Sequence, residues 1–367
     1  MKWKKQLAGM KAYQPGKSID DVKKMYGLSS ITKLASNENP LGTSPKVPQF
    51  IEDHGINFAR YPDGYSGALR KDLAEHLQVS EKQLLFGNGS DEIILIISRA
   101  LLQPGVNTVM ATPTFPQYRH NAQIEGAEVR EVELIDGHHD LEGMLKQIDE
   151  QTSVVWLCSP NNPTGNLIQQ AKLDEFISSV SPEVLIVLDE AYFEYVTDTE
   201  YRNAIDYLQT YKNVVVLRTF SKAYGLAAFR VGYAIGNEEL IANLDPLREP
   251  FNNTSLSQGA ASAALSDQVF IEKCRIENKQ GIDLFESFCL EHNLFIYPSQ
   301  GNFVLINIKT DSDKVFEELM KKGFIVRSGN ALGVPGFIRI TVGSIDQNTE
   351  LIEKLEKILI ELGVIHE

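Results

Sequence analysis

Between residues 108 and 236, six short runs of β-branched and aliphatic residues alternate with longer segments of helical periodicity. The runs are TVMA (108–111), VREVEL (129–134), SVVWLC (153–158), VLIVLDE (184–190), NVVVLRT (213–219) and RVGYAIG (230–236). Unbroken apolar strands separated by helices are the pattern of a mostly parallel sheet buried on both faces, because the crossover helices cover those faces. The stretch from about residue 80 to residue 233 is therefore an α/β domain. Ligands of such sheets collect outside the carboxyl ends of the strands. The polar residues of this chain gather there: 159–165 after one strand, 189–192 after the next, Ser221 and Lys222 after the third. Three consecutive strand ends point at one crevice.

Beyond about residue 245 the pattern changes. A long charged helix is expected near 267–292, followed by NFVLINI (302–308), a helix, GFIVRSG (323–329), GFIRITVG (336–343) and a closing helix, which reads as a smaller α+β domain. The first thirty residues are amphipathic, carry a turn at YQPGK (13–17), and read as an arm docking on something larger. A chain of 367 residues has enough apolar content for two such cores.

The net charge of −14 is spread over many helices, which argues against nucleic acid or an anionic membrane as the main partner and leaves room for basic pockets that hold small anions. The basic N-terminus has no apolar h-region behind it, and the longest apolar run, residues 93–97, is far too short to span a bilayer, so a cytoplasmic location is expected. Cys158, Cys274 and Cys289 are widely spaced, with no paired spacing for a zinc site or a disulfide frame, and read as reduced packing residues.

Four segments carry candidate chemistry. In LFGNGSDEIILIISRALLQPG (85–105), Gly87 and Gly89 permit a tight turn, and Ser90 and Asp91 open an apolar helix whose first N–H groups can bind a phosphate; a plain capped helix start accounts for the same residues. CSPNNPTGN (158–166) is dense in turn formers, yet two asparagines before Pro163 at a strand end can also donate to a ligand oxygen. VLIVLDEAYFEY (184–195) ends a buried strand on Asp189, a carboxylate that needs a cation, either a structural ion-pair partner or a protonated ring nitrogen of a cofactor. Tyr192 can aim its phenol into the same crevice. Lys222 lies with Thr219, Ser221 and Arg230: hydroxyls and a guanidinium suit a phosphate, and the like charge favours a neutral, nucleophilic amine. A solvated turn lysine is the alternative. Lysine, phosphate cradle and strand-end aspartate together describe a pyridoxal phosphate site.

With these residues in place, the sequence resembles the fold-type I pyridoxal phosphate aminotransferases over almost its whole length. SPNNPTG (159–165), DEAY (189–192) and SKAYGLAAFRVGY (221–233) are general to them. More particular are YQPGK, LASNENPLG (34–42), RYPDG (60–64), GNGSDE (87–92) and IRITVG (338–343), which are similar to the branch that transaminates histidinol phosphate. The resemblance implies an N-terminal arm (1–33), a large domain (34–247) whose mostly parallel, seven-stranded sheet is flanked by helices and binds pyridoxal 5′-phosphate, and a small C-terminal domain (248–367). It also implies a homodimer with shared active sites.

By the same resemblance, Lys222 holds the cofactor as a Schiff base and then moves a proton between the substrate Cα and the cofactor C4′. Asp189 pairs with the ring nitrogen and keeps it protonated, so that the ring accepts electrons. Asn162 and Tyr192 bond the ring 3′-oxygen, and Phe115, in TPTFPQY (112–118), stacks on the ring where some relatives carry Tyr. The cofactor phosphate is assigned to the N–H groups of Ser90 and Asp91, to Thr219, Ser221 and Arg230, and to Tyr61 from a second subunit. Arg339 grips the donor carboxylate and meets the substrate phosphate, which Tyr13 and Arg327 complete, with Asn37 beside the substrate. The implied substrates are glutamate, 2-oxoglutarate, histidinol phosphate and imidazole acetol phosphate. Ala228 and Phe229 stand where close relatives more often carry Gly and Leu, a change in packing that removes no functional group.

Two rival activities share the scaffold: a broad-range or aromatic aminotransferase, and threonine-phosphate decarboxylase, a lyase. A regulatory module that has lost catalysis is a third class, and it calls for a basic helix-turn-helix segment that residues 1–30 do not show.

Overall fold

The computed structural model describes residues 1–10, 17–54, 57 and 59–366. Twelve strands follow in order: β1 (Thr32–Lys33), β2 (Leu84–Gly87), β3 (Asn107–Thr112), β4 (Glu128–Glu133), β5 (Thr152–Cys158), β6 (Leu185–Asp189), β7 (Val214–Thr219), β8 (Gly232–Gly236), β9 (Phe303–Asn307), β10 (Phe324–Ile325), β11 (Arg327–Ser328) and β12 (Phe337–Thr341). The seven-stranded sheet runs β2-β8-β7-β6-β5-β3-β4. It is parallel from β7 to β4, and β8 runs antiparallel between β2 and β7.

The central strands are apolar on both faces because two cores need them. Val155, Leu157, Ile186, Leu188, Val214 and Val216 join one cluster with residues of the helices Gly67–Leu77, Gln170–Ser179 and Ser255–Leu265. Val154, Trp156, Val187, Val215 and Leu217, the alternate residues, join another with the helices Gly89–Leu101 and Gln117–Glu125. Strand alternation sends neighbours along the chain to opposite layers. Strand β4, at the sheet edge, keeps no fully buried residue, which fits its charged sequence.

A second, antiparallel sheet runs β11-β12-β9. The helices Gln268–Glu291, Ser312–Lys321 and Ile345–Glu361 cover it through Phe285, Phe288, Val315, Leu319, Leu351 and Leu355. The long helix bridges the two cores, since its early residues Ile271 and Cys274 pack with the large sheet. Strand β1 pairs in parallel with β10, tying the segment before residue 34 to the second core, where Leu34 is buried.

Two details differ from the sequence pattern. The short run LLFG is a strand, β2, directly ahead of the helix at Gly89, so its four residues merge into a helical pattern. GFIVRSG, expected as one strand, is two: β10 pairs with β1, and β11 pairs with β12. The three cysteines are buried and free. Among the described residues no helix is long and apolar enough to cross a membrane.

Candidate active site

The register brings Cys158 beside Asp189, and Asp189 beside Leu217, two residues before the end of β7 at Thr219. The strand ends therefore deliver Asp189, Thr219 and, one turn later, Lys222 to the same rim of the sheet. The Lys222 ammonium donates to the Ser36 carbonyl at 3.1 Å and lies 5.7 Å from the centre of the Tyr192 ring. Burial, helped by the charges of Arg339 and Arg230 against those of Glu38 and Asp91, lowers this amine to a pKa of about 8. An amine so placed is neutral and nucleophilic about one-tenth of the time at pH 7, far more often than an ordinary lysine.

Asp189 is buried, and the cation expected beside it is replaced by neutral donors. The Tyr118 hydroxyl donates to Oδ2 at 2.6 Å and the Ala191 N–H to Oδ1 at 3.1 Å. Among the described residues Asp189 forms no ion pair, so the reading as one half of a structural ion pair is corrected. Burial raises its pKa to about 6, opposed by those two hydrogen bonds. A buried carboxylate without a countercharge is costly, and a protonated ring nitrogen is the kind of partner that would offset the cost.

Around Arg230 the chain makes a tight cradle. The helix starts at Gly89, and neither Ser90 nor Asp91 caps it; both lie in its first turn, where N–H groups have no acceptor within the helix. The Arg230 guanidinium touches Ser221 Oγ at 3.3 Å and Asp91 Oδ2 at 3.3 Å. A Cβ on Gly89 would lie 2.6 Å from Arg230 Nη2, and one on Gly232 would lie 2.4 Å from the Gly89 carbonyl carbon and Ser90 nitrogen. Gly232 admits no side chain because the clash is with backbone, and Gly89 has a φ of +72°, a left-handed backbone that favours glycine. Thr219 Oγ1 receives the Ser221 N–H at 3.1 Å and shapes the turn toward Lys222.

The second core contributes Arg339, which is buried. Its guanidinium donates to Asn162 Oδ1 at 2.6 Å and to the Ala35 carbonyl at 2.8 Å. The Asn37 amide donates to the Tyr192 hydroxyl at 3.0 Å, and burial pushes that phenol well up, so it stays a protonated donor. Arg327 pairs in register with Arg339 across β11 and β12. Phe115 is partly buried and meets Tyr118 edge to face, with ring centres 5.6 Å apart.

The remaining residues lie elsewhere. Tyr61 is on the surface, 82 % exposed, and its ring stacks on Phe251 at 4.7 Å. Tyr13, with most of YQPGK, falls outside the described residues. Sequence reasoning passed over Tyr118, although it closes the run TPTFPQY, and the Ala35 and Ser36 carbonyls, which are backbone and leave no residue type to notice. It also passed over the buried pair behind the site, where Arg218 donates to Glu190 Oε2 at 2.7 Å and to Asn203 Oδ1 at 2.8 Å, its guanidinium carbon 3.5 Å from the Phe193 ring centre.

These donors suit pyridoxal phosphate. The glycine-lined cradle at Arg230 matches a phosphate, the buried Asp189 carboxylate, which forms no ion pair among the described residues, matches a ring nitrogen, and Lys222 matches an aldehyde. No group of His, Cys, Asp or Glu side chains able to hold a metal occurs among the described residues.

Residues 29–355 match the family described as aminotransferase class I and II. The chain is 58% identical to the histidinol-phosphate aminotransferase of Lysinibacillus sphaericus over 99% of its own length and 100% of the relative's. It is 57% identical to that of Anoxybacillus flavithermus over 98% and 97%. Among solved structures, the histidinol-phosphate aminotransferase from Sinorhizobium meliloti in complex with pyridoxal-5′-phosphate superposes with a TM-score of 0.89 at 25% identity, covering 98% of each chain.

Proposed function

The chain belongs to the class I and II aminotransferases, and from that premise we propose how its residues move an amino group between glutamate and imidazole acetol phosphate, yielding L-histidinol phosphate and 2-oxoglutarate in histidine biosynthesis. It is a pyridoxal phosphate-dependent enzyme acting on small molecules, as its relatives are. What supports the substrate assignment is that Arg327 and Arg339 are register partners on the adjacent strands β11 and β12, so one short stretch of the second sheet supplies two cations for an anionic substrate.

When bound, the cofactor ring supplies the electron sink for bond breaking at the substrate Cα. Lys222 would hold the cofactor through its amine and, as a free amine, would carry the proton between the two carbon centres; its lowered pKa suits both duties. Asp189 holds the ring nitrogen in its charged form. Asn162 and Tyr192 hold the ring oxygen, Phe115 covers the ring face, and Ser90, Asp91, Thr219, Ser221 and Arg230 bind the phosphate. Arg339 binds the carboxylate of glutamate and then shares the phosphate of the second substrate with Arg327 and Tyr13, while Asn37 keeps Tyr192 oriented. In this reading 34–247 forms the cofactor domain and 248–367 the domain that brings the arginines, with 1–33 as the arm. The enzyme works in the cytoplasm as a homodimer, and Tyr61, an exposed aromatic on the large domain, reaches the phosphate of the partner's site.

The test is a single-turnover comparison in which the cofactor-loaded enzyme is mixed separately with histidinol phosphate, phenylalanine, tyrosine and threonine phosphate. Fastest conversion to the aminated cofactor with histidinol phosphate supports the assignment. A faster reaction with an aromatic amino acid, or carbon dioxide release from threonine phosphate, replaces it with the corresponding rival.

A further inference from the structure

Tyr118 lies on the helix Gln117–Glu125, 71 residues before Asp189 in the chain and fully buried. Its ring is sandwiched by structure that leaves it little freedom. On one side it stacks on Trp156, with ring centres 4.9 Å apart and planes 12° from parallel; Phe115 meets it edge-on. Trp156 is itself fixed, since its indole N–H donates to Thr108 Oγ1 at 2.9 Å, and that hydroxyl donates to the Val154 carbonyl at 2.7 Å. The phenol of Tyr118 thus arrives at Asp189 Oδ2 from a rigid base anchored in β3 and β5. An oxygen–oxygen separation of 2.6 Å is that of a charge-assisted hydrogen bond to a carboxylate.

We infer that Tyr118 is a positioning residue for the transamination: its hydroxyl holds Asp189 as an ionised, oriented acceptor for the cofactor ring nitrogen, and its ring braces Phe115 against the cofactor face. This inference rests on the reading of Asp189 as the partner of that nitrogen. The surroundings make the hydroxyl decisive. Among the described residues, the titratable groups that interact with Asp189 include Cys158 from β5, Asp91 from the helix at Gly89, and Glu190 and Tyr192 beyond its own strand end. Not one is a cation. Asp91 and Glu190 both disfavour the Asp189 charge, as burial does, and the Tyr118 hydroxyl and the Ala191 N–H oppose them. The Ala191 donor belongs to the backbone, so Tyr118 is the side-chain donor whose removal tests the balance. Tyr118 in turn remains a donor, because burial and the Asp189 charge push its own ionisation far above the usual phenol range.

The experiment uses the full chain with Tyr118→Phe, which keeps the ring and its stack on Trp156 and deletes one oxygen. Cofactor-depleted protein is titrated with pyridoxal phosphate across pH 5 to 9, and the dissociation constant is followed together with the thermal unfolding of the cofactor-free protein. Loss of one charge-assisted bond weakens cofactor binding about 10-fold or more near neutral pH, and the pH at which binding reaches half its full strength moves up by about one pH unit. In the cofactor-free protein, stability falls as pH rises through the Asp189 range, because a carboxyl with a raised folded pKa binds more protons folded than unfolded. Tyr118→Phe carries that fall to higher pH. In an Asp189→Asn background the same substitution changes the dissociation constant by at most about threefold, since a neutral amide gains little from the hydroxyl. An unchanged constant and midpoint in Tyr118→Phe overturns the inference, as does an undiminished effect in the Asp189→Asn background, which would make Tyr118 a packing residue. A wild-type chain that takes up no pyridoxal phosphate at Lys222 overturns the underlying reading instead, and the two failures are told apart by that first titration.

Discussion

Arg327 sits directly opposite Arg339 in the antiparallel pair of β11 and β12. Like charges at facing positions of a sheet repel, and an anion bound near both would relieve that repulsion. Arg339 also serves Asn162 and the Ala35 carbonyl, so the two arginines differ in duty. Arg327→Gln is expected to lower kcat/KM for histidinol phosphate by about 10- to 100-fold, the scale of one charge-assisted contact, while changing that for glutamate by less than about threefold. Arg339→Gln is expected to lower both. Equal losses for the two substrates in Arg327→Gln would remove it from the phosphate site.

Lys222 gives a prediction in the cofactor-free protein. Its pKa of about 8 lies below the usual amine range, mainly through burial. The unfolded chain therefore binds more protons there between pH 8 and about 10, and folding stability attributable to this residue rises with pH over that window. Lys222→Met removes the contribution. Urea unfolding should find the variant more stable than the wild type by up to about 3 kcal/mol at pH 7, since each tenfold change in proton affinity is worth about 1.4 kcal/mol and partial solvent access reduces the full value, with the gap closing by about pH 10. A gap independent of pH would mean that the buried amine is not what titrates.

The sheet was legible in the sequence because its central strands are buried on both faces and read as unbroken apolar runs, and the crevice followed from where their polar ends fall. Strand β2 was hidden because LLFG runs straight into the helix that follows. The split of GFIVRSG depends on the chain changing sheets across Val326, from β1 before it to β12 after it, a tertiary event with no local marker. Within the site, residues fixed by local motifs such as Asp189 and Lys222 stood out. Tyr118 did not, because a tyrosine after a turn is an ordinary core residue until the fold places its hydroxyl on a carboxylate far along the chain. The structural ion-pair partner allowed for Asp189 is absent among the described residues for a related reason: neutral donors, the Tyr118 hydroxyl and the Ala191 N–H, solvate the carboxylate instead, and sequence does not show which donors will arrive.

Behind the cofactor face, Glu190 and Arg218 lie one residue beyond Asp189 and one before Thr219, and strand alternation turns them to the opposite layer. The pair is almost fully buried, and Asn203 and the Phe193 ring complete the shell of Arg218. Glu190→Gln leaves a buried guanidinium without its countercharge, so a loss of about 3 to 5 kcal/mol is expected in urea unfolding. Replacing both partners, with Glu190→Gln and Arg218→Met, should recover part of that loss. A single-variant cost under about 1 kcal/mol would show that water reaches the pair.

Tyr61 presents an aromatic ring to the surface, stacked on Phe251 and 82 % exposed, while Lys222 lies within the crevice at the strand ends. If Tyr61 serves the phosphate site of a second copy, each site takes its lysine from one chain and this tyrosine from the other. Tyr61→Ala and Lys222→Ala chains are then each deficient alone. When they are unfolded together and refolded, half of the dimers are mixed, and each mixed dimer holds one intact site and one site with both lesions. Activity should return to roughly a quarter of the wild-type value per site, the share expected from random pairing of two chains in a two-fold dimer. The recovered fraction should also bind pyridoxal phosphate with the wild-type dissociation constant, which separates true complementation from residual activity of Tyr61→Ala. No recovery on mixing, in a sample shown by sedimentation to contain dimers, would place both residues in the same site of one chain, or Tyr61 in no site at all.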